Sequence, residues 1–302
     1  MNSPQATVPP RALLLLAILT VIWGTNWPLF VFAVSEVSVW VFRSIAMPLG
    51  AIALLIVARW RNQSLRVARG DWRQLALSAF FTMTLWNVTS TYAAVMIPTG
   101  QSAILAYTMP LWSMLIAWIA LGQSPTLRQL TALLLGLAAI GLLMLPALKS
   151  YSQAPLGFVL GISSAIVWAV GTLIYKQHTW QTPVLTLTAW QSLVAALPIW
   201  GIAAVMGDYQ WFVPSWQSIA VIAYIAVVPM AFGNVCWFSI VSLVPVNAAG
   251  LSAILVPLVA MLFGAWLHGE PLGKMQVGAM LLSAAALALV LLKPAGAGRS
   301  GG

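Results

Sequence analysis

The sequence predicts an all-α integral membrane protein whose ten transmembrane helices form two inverted five-helix repeats, and three observations carry that prediction. Of the 302 residues, 62% are hydrophobic and only 6% charged, whereas soluble domains carry roughly a quarter charged residues. Apolar runs of about 20 residues, each long enough to cross the hydrocarbon as a helix, recur from Ala12 to Leu292 with short polar breaks. The chain also matches itself when shifted by 147 residues.

Taken in order, the first run covers 12–34 behind a short polar tail ending in Arg11. It continues through Trp23, Asn26 and Trp27 with no small-residue cleavage site, so it is expected to stay as a span and not to be removed as a signal. The second run, 37–58, carries Arg43 and is followed by a basic loop from Trp60 to Gln74. Runs at 75–96, 100–121 and 126–146 complete a first repeat, residues 1–147. The second repeat, 148–302, holds runs at 156–176, 184–206, 217–243, 246–267 and 274–292. Pro28, Pro48, Pro110, Pro198, Pro229 and Pro257 lie inside these runs, where each removes a backbone bond and permits bending. Pro110 and Pro257 occupy matching positions and are read either as hinges that bend during gating or as static kinks.

Charge gives the orientation. Alternate connections place Arg11, Arg59, Arg61, Arg66, Arg69, Arg73, Arg128, Lys176, Lys293 and Arg299 on one side, and only Lys149 and Lys274 on the other. Basic residues mark the cytoplasmic side, so both termini are expected there. The net charge of +9 does not point to nucleic acid, because the basic residues follow the spans and lack interleaved stacking aromatics. The single cysteine, Cys236, excludes an internal disulfide and reads as a small buried apolar residue. No cofactor or metal site is expected.

In the 147-residue register, Asn87-Val88 meets Asn234-Val235, Pro98 meets Pro245, Pro110-Leu111 meets Pro257-Leu258, Gly122 meets Gly269 and Gln129 meets Gln276. An odd number of spans per half forces the second half to enter from the opposite side. Inverted halves give a protein two related conformations with a solute site near the midplane, which points to a carrier.

These residues resemble the drug/metabolite transporter superfamily, in particular its ten-span EamA-type permeases. The Ile22-Trp23-Gly24-Thr25-Asn26-Trp27 stretch is similar to that family's first-helix signature. Pro257-Leu258, then Gly269-Glu270 and Gln276, is similar to its ninth-to-tenth-helix signature, and the first half departs from the pattern with Gln123 in place of Glu. The resemblance implies a membrane transporter of small organic solutes. The Trp- and Tyr-rich spans and Trp86-Asn87 look most similar to bacterial aromatic amino-acid exporters.

Among candidate site residues, Trp23, Trp86, Trp168 and Tyr107 fall near span centres, where N–H and O–H groups need partners that lipid cannot provide. They are expected to line a cavity, with helix packing as the alternative. Asn87, Ser90 and Asn234 add hydrogen-bonding groups at similar depth, although the two asparagines also suit an interhelical structural pair. Arg43 has two readings, a side chain snorkelling to outer headgroups beside Glu36, or a gate and carboxylate partner. The four acids, Glu36, Asp71, Asp208 and Glu270, lie in loops or at span ends. An uncoupled facilitator or exchanger is therefore expected, since coupled carriers place titrating groups inside the membrane.

Ring faces with a few neutral polar groups suit amino acids, aromatic and other neutral ones, with flat or quaternary organic cations as the alternative cargo. Sugar phosphates would demand clustered lysines and arginines. No catalytic triad, metal motif or phosphate loop is present, so an enzyme is not expected. A channel fits the duplicated halves less well than alternating access. The expected partners are the bilayer and a small-molecule substrate, with the chain acting as a monomer.

Overall fold

The computed structural model describes residues 9–97, 99–145, 148–206, 214–244, 256–268 and 273–291. Residues 246–255 of the ninth predicted run lie outside that set, as do Pro98, Asp208, Pro245, Gly269, Glu270, Lys293 and Arg299.

All regular structure among the described residues is helical. Helix α1 (Pro10–Glu36) starts with proline in its first turn, where the missing N–H would have no partner, and stops at extended Val37. Helix α2 spans Val39–Trp60. After the basic loop, α3 (Trp72–Ala79), a π-helical segment π1 (Phe80–Leu85) and α4 (Trp86–Met96) follow without a break. Helices α5 (Thr99–Ala106) and α6 (Met109–Leu121) are separated by a turn at Tyr107 and Thr108. Pro110 therefore sits in the first turn of a new helix and does not kink a continuous one. Gly122 closes α6 with a left-handed φ of 64°, which suits a residue without Cβ. Thr126 and Gln129 form a reciprocal capping box at the start of α7 (Leu127–Met144).

A short helix α8 (Leu148–Gln153) precedes α9 (Pro155–Gln177) and α10 (Val184–Met206). Then α11 (Trp216–Ile225), a second π segment π2 (Ala226–Phe232) and α12 (Gly233–Leu243) run on continuously. Helices α13 (Val256–His268) and α14 (Lys274–Leu291) complete the described chain.

Six helical stretches among the described residues are long and apolar enough to cross a membrane, and Pro10–Asn26 is a shorter apolar stretch. The outer surface is apolar: Leu14, Ile56, Ile119 and Val205 are between 63% and 81% exposed. Such side chains suit hydrocarbon as their surroundings, with the polar backbone satisfied inside each helix.

Helix α2 lies along α10, and α7 along α14. Helix α1 packs on α11, α12 and α13, while α9 packs on α3, α4, α5 and α6. The two π segments are each held by the opposite half, π1 by α9 and α10, π2 by α1 and α2. Backbones come close here. A Cβ on Gly50 of α2 would stand 2.5 Å from the Ala226 carbonyl oxygen, and one on Gly171 of α9 would stand 2.8 Å from the Thr82 backbone nitrogen. Only glycine fits such contacts.

At the end bearing the basic loop, the two halves are strapped together. Thr186 Oγ1 donates to the Ser64 carbonyl at 2.6 Å, Trp190 Nε1 to the Leu65 carbonyl at 2.9 Å, and the Ala68 N–H to Thr182 Oγ1 at 3.0 Å. Asp71, 1% exposed, accepts from the Thr182 hydroxyl at 2.6 Å and from the Thr182 and Gln181 N–H groups, with His178 Nε2 at 2.8 Å.

Candidate functional site

The helix packing leaves a central cavity between α1, α2, π1, α4, α9, π2 and α12, closed on one flank by the α5–α6 turn. Its empty space is about 1030 Å³ counting the open mouth. On α2 the lining runs from Phe42 to Gly50 and stops there, so the cavity is displaced away from the strapped basic loop.

Trp23 and Asn26 reach it from one face of α1, three residues apart. The Trp23 indole donates to the Pro229 carbonyl in π2 at 3.1 Å. Its ring packs 5.6 Å from Trp168 of α9 and 5.7 Å from Trp237 of α12, and Trp168 in turn lies 5.4 Å from Trp86 of α4. The four indoles form one continuous aromatic body. Trp237, fully buried behind it, donates to Thr172 Oγ1 at 3.3 Å. Two polar atoms of the wall have no hydrogen-bond partner among the described residues, Trp168 Nε1 and Asn26 Oδ1.

Asn87 follows π1 as Asn234 follows π2, and each donates its amide to the carbonyl four residues earlier, Met83 and Met230, at 2.5 Å. The amide oxygen of Asn87 accepts from Arg43 Nη1, while Arg43 Nε donates to Thr91 Oγ1 at 2.9 Å. The guanidinium also stands 5.3 Å from the centre of the Phe30 ring and 5.7 Å from that of Trp86. It is 6% exposed and is the one formally charged side chain lining the cavity among the described residues. The snorkelling reading is thereby corrected. Arg43 turns inward because Asn87 and Thr91 offer it acceptors, and Glu36 is engaged elsewhere, accepting from the Ser215 N–H at 2.9 Å.

The cavity brings together Trp23, Arg43, Trp86, Asn87, Tyr107, Trp168 and Asn234. Tyr107 enters through the turn between α5 and α6. Ser90 does not reach the lining. It is buried behind it, its hydroxyl directed to the Asn87 carbonyl at 3.4 Å and its own carbonyl accepting from Ser102. Pro110 is buried outside the lining, and Pro257 belongs to the first turn of α13. Sequence reasoning missed Phe30, Phe42, Met47, Met83, Met109 and Met230. Met83 and Met230 match in the 147-residue register, a signal that could have found them. Among the described residues, no group of His, Cys, Asp or Glu is placed to hold a metal.

The sequence profile of the EamA-like transporter family matches residues 10–145 and 155–292. The chain is 26% identical over 286 residues to the uncharacterized transporter YvbV of Bacillus subtilis, covering 94% of this chain and 92% of that protein. It is 24% identical to a probable amino-acid metabolite efflux pump of Salmonella typhimurium, covering 62% of this chain and 66% of the pump. A pump of the same name from Escherichia coli is 22% identical over 61% of this chain and 65% of its own. One solved crystal structure superposes with a TM-score of 0.78 at 16% identity, covering 92% of this chain and 96% of that one, which is a likeness of fold.

Proposed function

The chain belongs to the EamA-like transporter family, and from that premise we propose that it carries amino acids, aromatic and other neutral ones, outward across a bacterial inner membrane by alternating access through the central cavity. It is a multi-pass membrane transporter and not an enzyme. The observation that carries the substrate reading is the cavity itself, a wall of Trp23, Trp86 and Trp168 with a few hydrogen-bonding groups set into it. Rings of this kind take up amphipathic bodies, and the polar groups orient them. The naming of two relatives as probable amino-acid metabolite efflux pumps supports the same direction.

Ten crossings in two inverted halves are part of this reading, and the packing supports them. Exchanging the first helix of each half, α1 with α9, exchanges the α1 contact with α13 for the α9 contact with α6, and the α1 contact with α12 for the α9 contact with α4. The α2–α10 and α7–α14 contacts map onto themselves. Shifting π1 by 147 residues lands it within π2, and the extended residues that end α4 and α12, Ile97 and Val244, have φ and ψ within 3° of one another. Two halves of one shape, related by reversal, permit two mirrored states about one site. The bias of basic residues supports cytoplasmic termini.

Proteoliposomes test the proposal. Saturable uptake of labelled phenylalanine, accelerated by unlabelled amino acid inside, is expected, with Trp86→Ala and Trp168→Ala each lowering flux or altering selectivity. Unsaturable current, or no amino-acid flux from correctly folded protein, overturns it.

A further inference from the structure

Arg43 is a cation set in a cavity wall. Among the described residues it meets no carboxylate, and its partners, Asn87 Oδ1, Thr91 Oγ1 and the faces of Phe30 and Trp86, are all neutral. Removing a cation from water is costly unless an opposite charge or a full set of acceptors replaces the hydration. Here the replacement is partial: Nε and Nη1 are engaged, and Nη2 makes no hydrogen bond to the described residues. Trp168 Nε1 is a second donor left over on the same wall, on a residue only 6% exposed. The unmatched acceptor is Asn26 Oδ1. The wall therefore carries one fixed positive charge whose hydration is only partly replaced, and the solute must answer it.

We propose that Arg43 is the specificity-determining residue of the cavity and reads a carboxylate on an aromatic or apolar body, so that permanent organic cations are excluded as cargo. The inference rests on the carrier reading for the identity of the site. The guanidinium, fixed by Thr91 at Nε and by Asn87 at Nη1, keeps Nη2 to donate, and a charge-assisted hydrogen bond from it suits a carboxylate. The Trp86 ring, 5.7 Å from the guanidinium and 5.4 Å from Trp168, places an aromatic platform beside that donor. A quaternary cation does the opposite of a carboxylate, bringing a like charge toward Arg43.

The test is binding to the whole chain purified in detergent, where flux is not needed. Labelled phenylalanine is competed with phenylpropionate, which lacks the amine, phenethylamine, which lacks the carboxylate, and methyl viologen, a permanent dication. Phenylpropionate is expected to compete and the two cations are not. Arg43→Gln should weaken carboxylate binding by roughly 10- to 100-fold, the worth of a charge-assisted hydrogen bond, with Arg43→Lys in between. Cations that compete as well as phenylpropionate overturn the inference on the unaltered protein, whatever the folding of the variants. So does a monodisperse Arg43→Gln variant with the wild-type order of ligands. Carboxylate binding without proteoliposome flux upholds this inference and removes the carrier reading. Flux of methyl viologen without carboxylate binding leaves carriage as such standing but overturns this inference together with the amino-acid cargo.

Discussion

Asp71 shows how one side chain organises a membrane protein outside its spans. Burial raises its affinity for a proton, but the Thr182 hydroxyl, His178 and the backbone N–H groups of Thr182 and Gln181 outweigh burial and hold its carboxyl below the ordinary 3.8. A carboxylate with a depressed folded value contributes stability above its unfolded value, and that contribution is lost as pH falls through the folded one. Asp71→Asn should therefore cost roughly 1.5–3 kcal/mol near neutral pH, the scale of hydrogen bonds to a charged group. Thermal unfolding in detergent checks this: the gap between variant and wild type should close as the pH is taken from 7 to below 3.8. A gap that stays constant would mean the charge is not what matters. Arg43 is the contrasting case, because its position was legible in the sequence but its direction was not. Six residues from the start of its apolar run, it could reach headgroups or turn inward, and only Asn87 and Thr91, about 45 residues away in the chain, decide between the two.

Helices were legible wherever a long apolar run carried them, since length and hydropathy alone set a span. The breaks within them were not. The π segments arise from a shift in backbone bonding that leaves no compositional mark. Pro229 lies in π2, yet the matching position in π1 is Thr82, so proline does not explain both. The turn at Tyr107 and Thr108 was hidden inside an apolar run, and Pro110 was visible only as a bend to come. Ser90 was misplaced because depth along α4 is not legible: it lies one turn beyond Trp86, where Ser102 of α5 donates to its carbonyl. Contacts between elements make a sharper prediction. Gly50→Ala drives a methyl group to 2.5 Å from the Ala226 carbonyl oxygen and should destabilise by about 1–3 kcal/mol through overpacking. Gly201→Ala, with no atom within 4 Å of its new methyl, should gain about 0.5–1 kcal/mol of helix propensity. Melting temperatures of the pair in the same detergent decide it, and equal shifts would sink the close-packing account.

For the molecule as a whole, the cavity lining among the described residues contains Arg43 and no acid or histidine. The described lining thus lacks the carboxylate or imidazole that coupled carriers place inside the membrane. Amino-acid flux into vesicles should be unchanged by an imposed pH gradient, and strong acceleration would show a coupling route outside this lining. Access must still reverse for a carrier to turn over, and the strap from Ser64 to Asp71 bears on how. Its bonds use loop carbonyls and N–H groups that no helix needs, answered by side chains of the opposite half. They can be undone one at a time, as a row of fasteners is, while every rung inside α2 and α10 stays made. On the carrier reading, the strapped end unlocks by releasing a few bonds between the halves, several of them buried, and the rods that line the cavity never have to soften.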